Sequence, residues 1–182
     1  MTDIKNNWRR LDSREVYRNP WVRVREDQVI RPDGNPGIYG VVEFKMGLGI
    51  VALDEADHVW LLGQYRYPVD AISWEIINGT VEPGETALES AQRELSEEAG
   101  LAATEWTDLG RFHPSAGITN EVAQLYLARG LSQHAADPEA TEEFVPRRVP
   151  FSEALAMIDR GEILDSYSIV ALLKVDRLRR GR

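Results

Sequence analysis

The chain contains no cysteine, which excludes disulfides, thiolate metal sites and cysteine nucleophiles. Histidine is scarce: His58, His113 and His134 lie too far apart in sequence to suggest a histidine-rich zinc centre. No apolar run approaches the roughly 20 residues that a membrane helix needs. The opening MTDIKNNWRR has no apolar stretch behind it, so no secretory signal is expected. The expectation is a cytoplasmic protein with no membrane partner. Basic residues are outnumbered, 21 against 30, for a formal net charge of −9. Duplex nucleic acid is bound by neutralising its phosphates, so this balance argues against a nucleic-acid partner. Phosphates would have to be met by local arginines or by a metal.

What is present is ordinary globular material: 182 residues, 43% hydrophobic and 28% charged, enough for one domain with an elaboration. From Arg14 to Asp54 the chain reads as strands. VRVREDQVI (22–30) alternates, PDGN (32–35) reverses it, and YGVVEF (39–44) returns. LGIVALD (48–54) is an apolar run of the buried-strand type, and HVWLLGQYR (58–66) follows the acidic turn DEAD. Three helices are expected: Glu85 to Ala99 with Gly100 as its stop, 151–161, and one opening at Asp165 or Ser166. Without regular βαβ alternation the pattern predicts an α+β fold, with a β arm over 1–46 and a compact body over 47–182.

The informative stretch is GTVEPGETALESAQRELSEEAGL, Gly79 to Leu101. Glu94, Glu97 and Glu98 are spaced i, i+3 and i, i+4, which puts all three on one helix face, opposite Leu88, Ala91 and Leu95. Like charges at that spacing cost a helix a few tenths of a kcal/mol per pair. A cation turns that cost into binding, and clustered carboxylate oxygens suit Mg²⁺ or Mn²⁺; without one the face is simply solvated. Arg93 can pair with Glu89 or Glu97 and hold a carboxylate in place.

Gly79, Glu85, Arg93-Glu94-Leu95, Glu97-Glu98 and Gly100-Leu101 resemble the Nudix box at every specified position. At background frequencies of a few per cent per residue type, a chance match falls below about one in a million. The resemblance implies a Nudix α/β/α sandwich with a small N-terminal antiparallel β arm, an enzyme that hydrolyses a nucleoside diphosphate linked to another moiety. It also implies roles: Glu94 and Glu98 as main metal ligands, Glu97 as a further ligand or water-positioning group, and Arg93 as the residue orienting them. The main-chain carbonyl of Asn78 completes such sites, and Mg²⁺, or Mn²⁺, is the implied cofactor.

Gln64-Tyr65-Arg66, Trp74-Glu75, HPSAGITNE (113–121) and EILDSYSIVALL (162–173) extend the resemblance to the ADP-ribose pyrophosphatase and nucleoside-diphosphate-sugar hydrolase branch. So does the arm, which in that branch exchanges between subunits; a homodimer is therefore implied. Arg66 is a candidate phosphate anchor, because a guanidinium donates a fork of hydrogen bonds. Glu75 either supports the pocket or pairs with Arg66, and Trp21 either stacks on the base or packs in a core or interface. Glu82 sits where it can touch phosphates or metal, and Glu121 where it can contact the sugar, each with an ordinary surface role as the alternative. The catalytic base is expected in ADPEATEEF (136–144), at Glu142, with Glu139 and Glu143 as competitors.

Two positions depart from the branch. Ser115-Ala116-Gly117 stands where many ADP-ribose enzymes carry Ser-Pro-Gly, and Trp74-Glu75-Ile76-Ile77 where Trp-Glu-Leu-Pro is frequent. The expected substrate is ADP-ribose or a related nucleoside diphosphate sugar. The alternatives are a dinucleoside polyphosphate, a coenzyme or a modified nucleotide, or a non-catalytic ligand sensor on the same fold.

Overall fold

A computed structural model describes residues 5–135 and 144–181. The chain forms two compact units, Met1–Lys45 with Ser115–Glu121, and Met46–Pro114 with Val122–Arg182.

The first unit is an antiparallel meander of β1 (Arg9–Arg18), β2 (Arg23–Ile30) and β3 (Pro36–Glu43). Its tight turn depends on Gly34, whose φ of 82° belongs to the left-handed region that glycine enters without strain. The turn closes through Gly34 N donating to Arg31 O and Asn35 N donating to the Asp33 carboxylate. β1 starts well before Arg14, where the sequence reading placed the first strand. RRLDSREVYR has no clean alternation and is exposed along its whole length, and among the described residues it pairs with β2 alone. Segment 115–121 joins this unit by a Val42–Thr119 bridge and by the Tyr39 hydroxyl donating to Gly117 O at 2.6 Å.

The second unit stacks two sheets between helices. One sheet contains β5 (His58–Arg66), β6 (Ala71–Glu75) and β10 (Val145–Pro150), in the order β10-β5-β6. The other contains β4 (Gly47–Ala52), β7 (Ile77–Thr80), β8 (Leu101–Phe112) and β9 (Ala123–Gln133), in the order β7-β4-β9-β8. Only β4 and β9 run parallel among these pairs.

β4 is buried at every position, and its alternation divides the core. Leu48, Ile50 and Ala52 pack with Ala91 and Leu95 of α1 (Ala87–Ala99). Val51 and Leu53 pack on the other side with residues of α2 (Phe151–Asp159) and α3 (Ser166–Arg179). Helices therefore cover both sides of the β layers, the α/β/α arrangement. Among the described residues no helix is long and apolar enough to cross a membrane.

Local chemistry sets the bounds of α1. Thr86 is the N-cap of a complete capping box with Glu89, and Gly100 ends the helix in the left-handed conformation. The helix thus opens after Thr86 rather than at Glu85. Glu89, offered above as a partner of Arg93, is instead taken up by the N-cap backbone at 2.7 Å.

Candidate active site

α1 lies against β7 so that Glu94 meets Gly79 at closest range. A Cβ built on Gly79 would overlap the Glu94 side chain, with Oε1 at 2.5 Å. Any side chain there would displace the Glu94 carboxylate, which gives the first glycine of the motif a steric reason. The Glu94 side chain keeps only 13% of its exposure. Burial pushes its carboxyl above the usual glutamate range, and the charge and hydrogen bond of Arg93 pull the other way.

Arg93 stands at the centre of the cluster. It reaches Glu97 at 2.9 Å, Glu94 at 3.0 Å and Glu85 at 3.4 Å, and donates to the carbonyl of Thr80 at 3.4 Å. Burial works to lower its pKa, but the Glu97 and Glu94 contacts outweigh that and raise it, so the guanidinium stays charged. Ser90, fully buried one turn before Glu94, donates to Glu85 at 2.5 Å and accepts from the Glu82 amide at 3.3 Å. It ties the loop preceding α1 to the helix. The Glu82 carboxylate accepts from the Thr80 hydroxyl at 3.3 Å.

The donor atoms here are all oxygens, the set that hard divalent cations prefer. Among the described residues no three acidic or histidine side chains converge closely enough to form a ready cage. Arg93 explains this, since it draws Glu94 and Glu97 to itself. The residues still fit such an ion through the glycine cradle under Glu94 and through a desolvated carboxylate whose burial a cation would offset.

A second cluster borders the first. Glu75, 0% exposed at the end of β6, accepts Arg66 Nε at 2.7 Å and a second Arg66 nitrogen, as well as Asn78 Nδ2 at 3.0 Å. The Arg66 side chain is 41% exposed. Its pKa is raised first by the Glu75 hydrogen bonds, with burial opposing, and further by the charges of Glu75, Asp165 and Glu98. That places Glu98 and Asp165 within electrostatic reach of Arg66. Asp165 caps α3 through Ser168 N at 2.9 Å, while its shielded Oδ1 meets no donor among the described residues.

The structure thus brings together Arg93, Glu94 and Glu97 of α1 with Glu85 and Glu82 of the loop before it, and Arg66, Glu75, Asn78 and Glu98 beside them. Of the two readings of Glu75, pairing with Arg66 is observed, and its carboxylate has no surface to offer a ligand. Trp21, 76% exposed, belongs to the first unit, where it lines a hollow with Arg18, Arg23, Phe44 and Lys45. Glu121 also belongs to that unit, its amide donating to the Thr119 hydroxyl at 3.3 Å. Glu139, Glu142 and Glu143 lie outside the described residues. Sequence reasoning passed over Ser90 and Asp165. The signal for Ser90 was a small polar residue four positions before Glu94 on the same face, and for Asp165 only its capping position.

Burial first, then the Glu75 charge, raises the Asp165 pKa. A carboxyl raised on folding stabilises fully below its unfolded pKa and loses that contribution as pH climbs through the folded value. Asp165→Asn keeps a capping oxygen and removes the charge. It is expected to melt above the parent at pH 7, with the gap closing as pH falls toward the ordinary aspartate value of about 4. Thermal unfolding across that range checks this.

Comparison with known proteins agrees with the geometry. The NUDIX domain model matches residues 43–169, and the nucleoside diphosphate sugar hydrolase N-terminal domain model matches residues 8–42. The chain belongs to the Nudix family, and it is a pyrophosphatase-type hydrolase of that family. It is 31% identical to an ADP-ribose pyrophosphatase of Mycobacterium tuberculosis, over 97% of this chain and 87% of that one. It is 26% identical to an ADP-ribose pyrophosphatase of Bacillus subtilis, over 87% and 86%. A solved ADP compounds hydrolase shares the fold at a TM-score of 0.87 and 20% identity, covering 99% of this chain and 98% of that one. Nudix hydrolases generally use divalent metal ions.

Proposed function

We propose that this protein hydrolyses the diphosphate linkage of ADP-ribose, or of a closely related nucleoside diphosphate sugar, with Mg²⁺ as its preferred ion. The products are a nucleoside monophosphate and a sugar phosphate. The observation that carries the reading is the Glu94 carboxylate seated on Gly79 and clamped by Arg93, at the head of a loop–helix that matches the family's box throughout. Likeness to the mycobacterial ADP-ribose pyrophosphatase across almost the whole chain favours the substrate.

When bound, the ion neutralises the diphosphate and acidifies a water for in-line attack on phosphorus. The protein's own residues do the rest. Glu94, Glu98 and the Asn78 carbonyl would hold the ion, with Glu97 beside them. Arg93 fixes Glu94 and Glu97 relative to the helix. Arg66 presents its exposed edge to a phosphate while Glu75 holds the other edge. A glutamate of 136–144, Glu142 before Glu139 or Glu143, takes the proton from the attacking water. Trp21 stacks on the base, and Glu82 and Glu121 assist at the phosphates and sugar.

A homodimer through the meander accords with β1, a strand exposed along its whole length with Leu11, Val16 and Tyr17 in the open. Incubating the protein with Mg²⁺ and ADP-ribose, UDP-glucose, GDP-mannose, a diadenosine polyphosphate or NADH, with products read by phosphorus NMR, tests the proposal. ADP-ribose is expected to be cleaved fastest, to AMP and ribose 5-phosphate. Preference for the polyphosphate or NADH would move the substrate, and no cleavage of any compound would leave a ligand sensor.

A further inference from the structure

We propose that Glu75 is a positioning residue that couples the phosphate-binding side of the site to the metal-binding side. This rests on the reading of Arg66 and of the Asn78–Gly79 backbone given above. The Glu75 carboxylate is wholly buried and takes hydrogen bonds from three side chains. Arg66 donates through Nε at 2.7 Å and through a second nitrogen, Asn78 through Nδ2 at 3.0 Å, and Gln64 through Nε2 at 3.4 Å. Arg66 and Gln64 stand on β5 and Asn78 on β7, so one anion joins strands of two different sheets.

A buried carboxylate without partners is costly, and one with several charged and amide donors is held rigidly. That rigidity reaches in two directions. Toward β5 it fixes the plane of the guanidinium and leaves one edge of Arg66 for an anion. Toward β7 it fixes the Asn78 side chain, whose other amide atom, Oδ1, is buried and meets no donor among the described residues. Asn78 immediately precedes Gly79, the residue against which the Glu94 carboxylate rests. Turning the Asn78 side chain therefore tilts the peptide that both offers the backbone carbonyl and seats Glu94. Groups that orient metal ligands from behind typically change metal affinity or activity about 10- to 100-fold when removed.

The test uses the full-length protein and Mn²⁺ alone, with free ion followed by electron paramagnetic resonance, beside the KM for ADP-ribose and the Tm. Glu75→Gln is expected to weaken Mn²⁺ binding about tenfold and to raise KM by a similar factor. Arg66→Lys should raise KM and leave Mn²⁺ affinity alone, whereas Asn78→Ala should do the reverse. A Glu75→Gln protein that binds Mn²⁺ like the parent overturns the coupling and leaves an ordinary ion pair. Should Glu75→Gln fail to fold, Asn78→Ala decides, and unchanged Mn²⁺ affinity there overturns the proposal. An unchanged KM in Arg66→Lys would instead refute Arg66 as a phosphate anchor, separately from the Mn²⁺ result.

Discussion

Replacing Glu94 with glutamine should lower kcat by about three orders of magnitude while the protein stays folded. The carboxylate is the most desolvated of the box acids whose geometry is described, and its burial raises the cost of its charge. Glutamine has nearly the same shape, so the contact with Gly79 survives. What disappears is the negative charge that a divalent ion needs. Loss of the several kcal/mol that such an ion contributes corresponds to about a thousandfold in rate, at about 1.4 kcal/mol per factor of ten. Since the buried charge goes as well, the Tm should stay level or rise. Steady-state kinetics with Mg²⁺ and a melting curve check both halves. Near-parental turnover would remove Glu94 from the chemistry.

Gly79→Ala tests the same contact from the other side. An added methyl would overlap the Glu94 carboxylate and must push either that side chain or the middle of α1 away from β7. Inserting one methyl into a close-packed contact costs typically 1–3 kcal/mol, about 4–8 °C per kcal/mol for a small domain and less for a larger one. Activity is expected to fall at least about a hundredfold, because Glu94 leaves its seat even where the fold adjusts. The two substitutions should differ in one respect: Gly79→Ala lowers Tm, whereas Glu94→Gln does not.

The sequence carried the local part of this structure and little of the lateral part. The turn at Gly34, the buried run of β4, the stop of α1 and the opening of α3 follow from residue chemistry within a few positions, and each appears in the fold. The spacing of Glu94, Glu97 and Glu98 places them on one helix. Which way that face turns is another matter. Periodicity separates polar from apolar positions and does not say what covers the polar ones, so the approach of Glu94 to Gly79 was not visible. The Arg66–Glu75 pair was one of two readings open for Glu75, and only the fold decides between them: Arg66 stands opposite Ala71 and Glu75 opposite Leu62, so the contact runs along the β5–β6 pair rather than straight across it. Asp165 reads as a helix cap from its neighbours alone, and its closeness to Glu75 arises only when α3 docks. The start of β1 escaped because a mostly polar, fully exposed strand carries no alternation to detect.

Segment 115–121 is stitched to the meander by hydrogen bonds from Val42 N to Ile118 O, Asn120 N to Val42 O, Phe44 N to the Asn120 side chain, and the Tyr39 hydroxyl to Gly117 O. The polypeptide therefore passes from one unit to the other at 45/46, returns at 114/115 and leaves again at 121/122. No single cleavage separates them cleanly. A truncated protein beginning at Met46 would strand that loop with its acceptors and donors facing water, and an arm traded to another subunit must either carry the loop with it or find it a replacement strand.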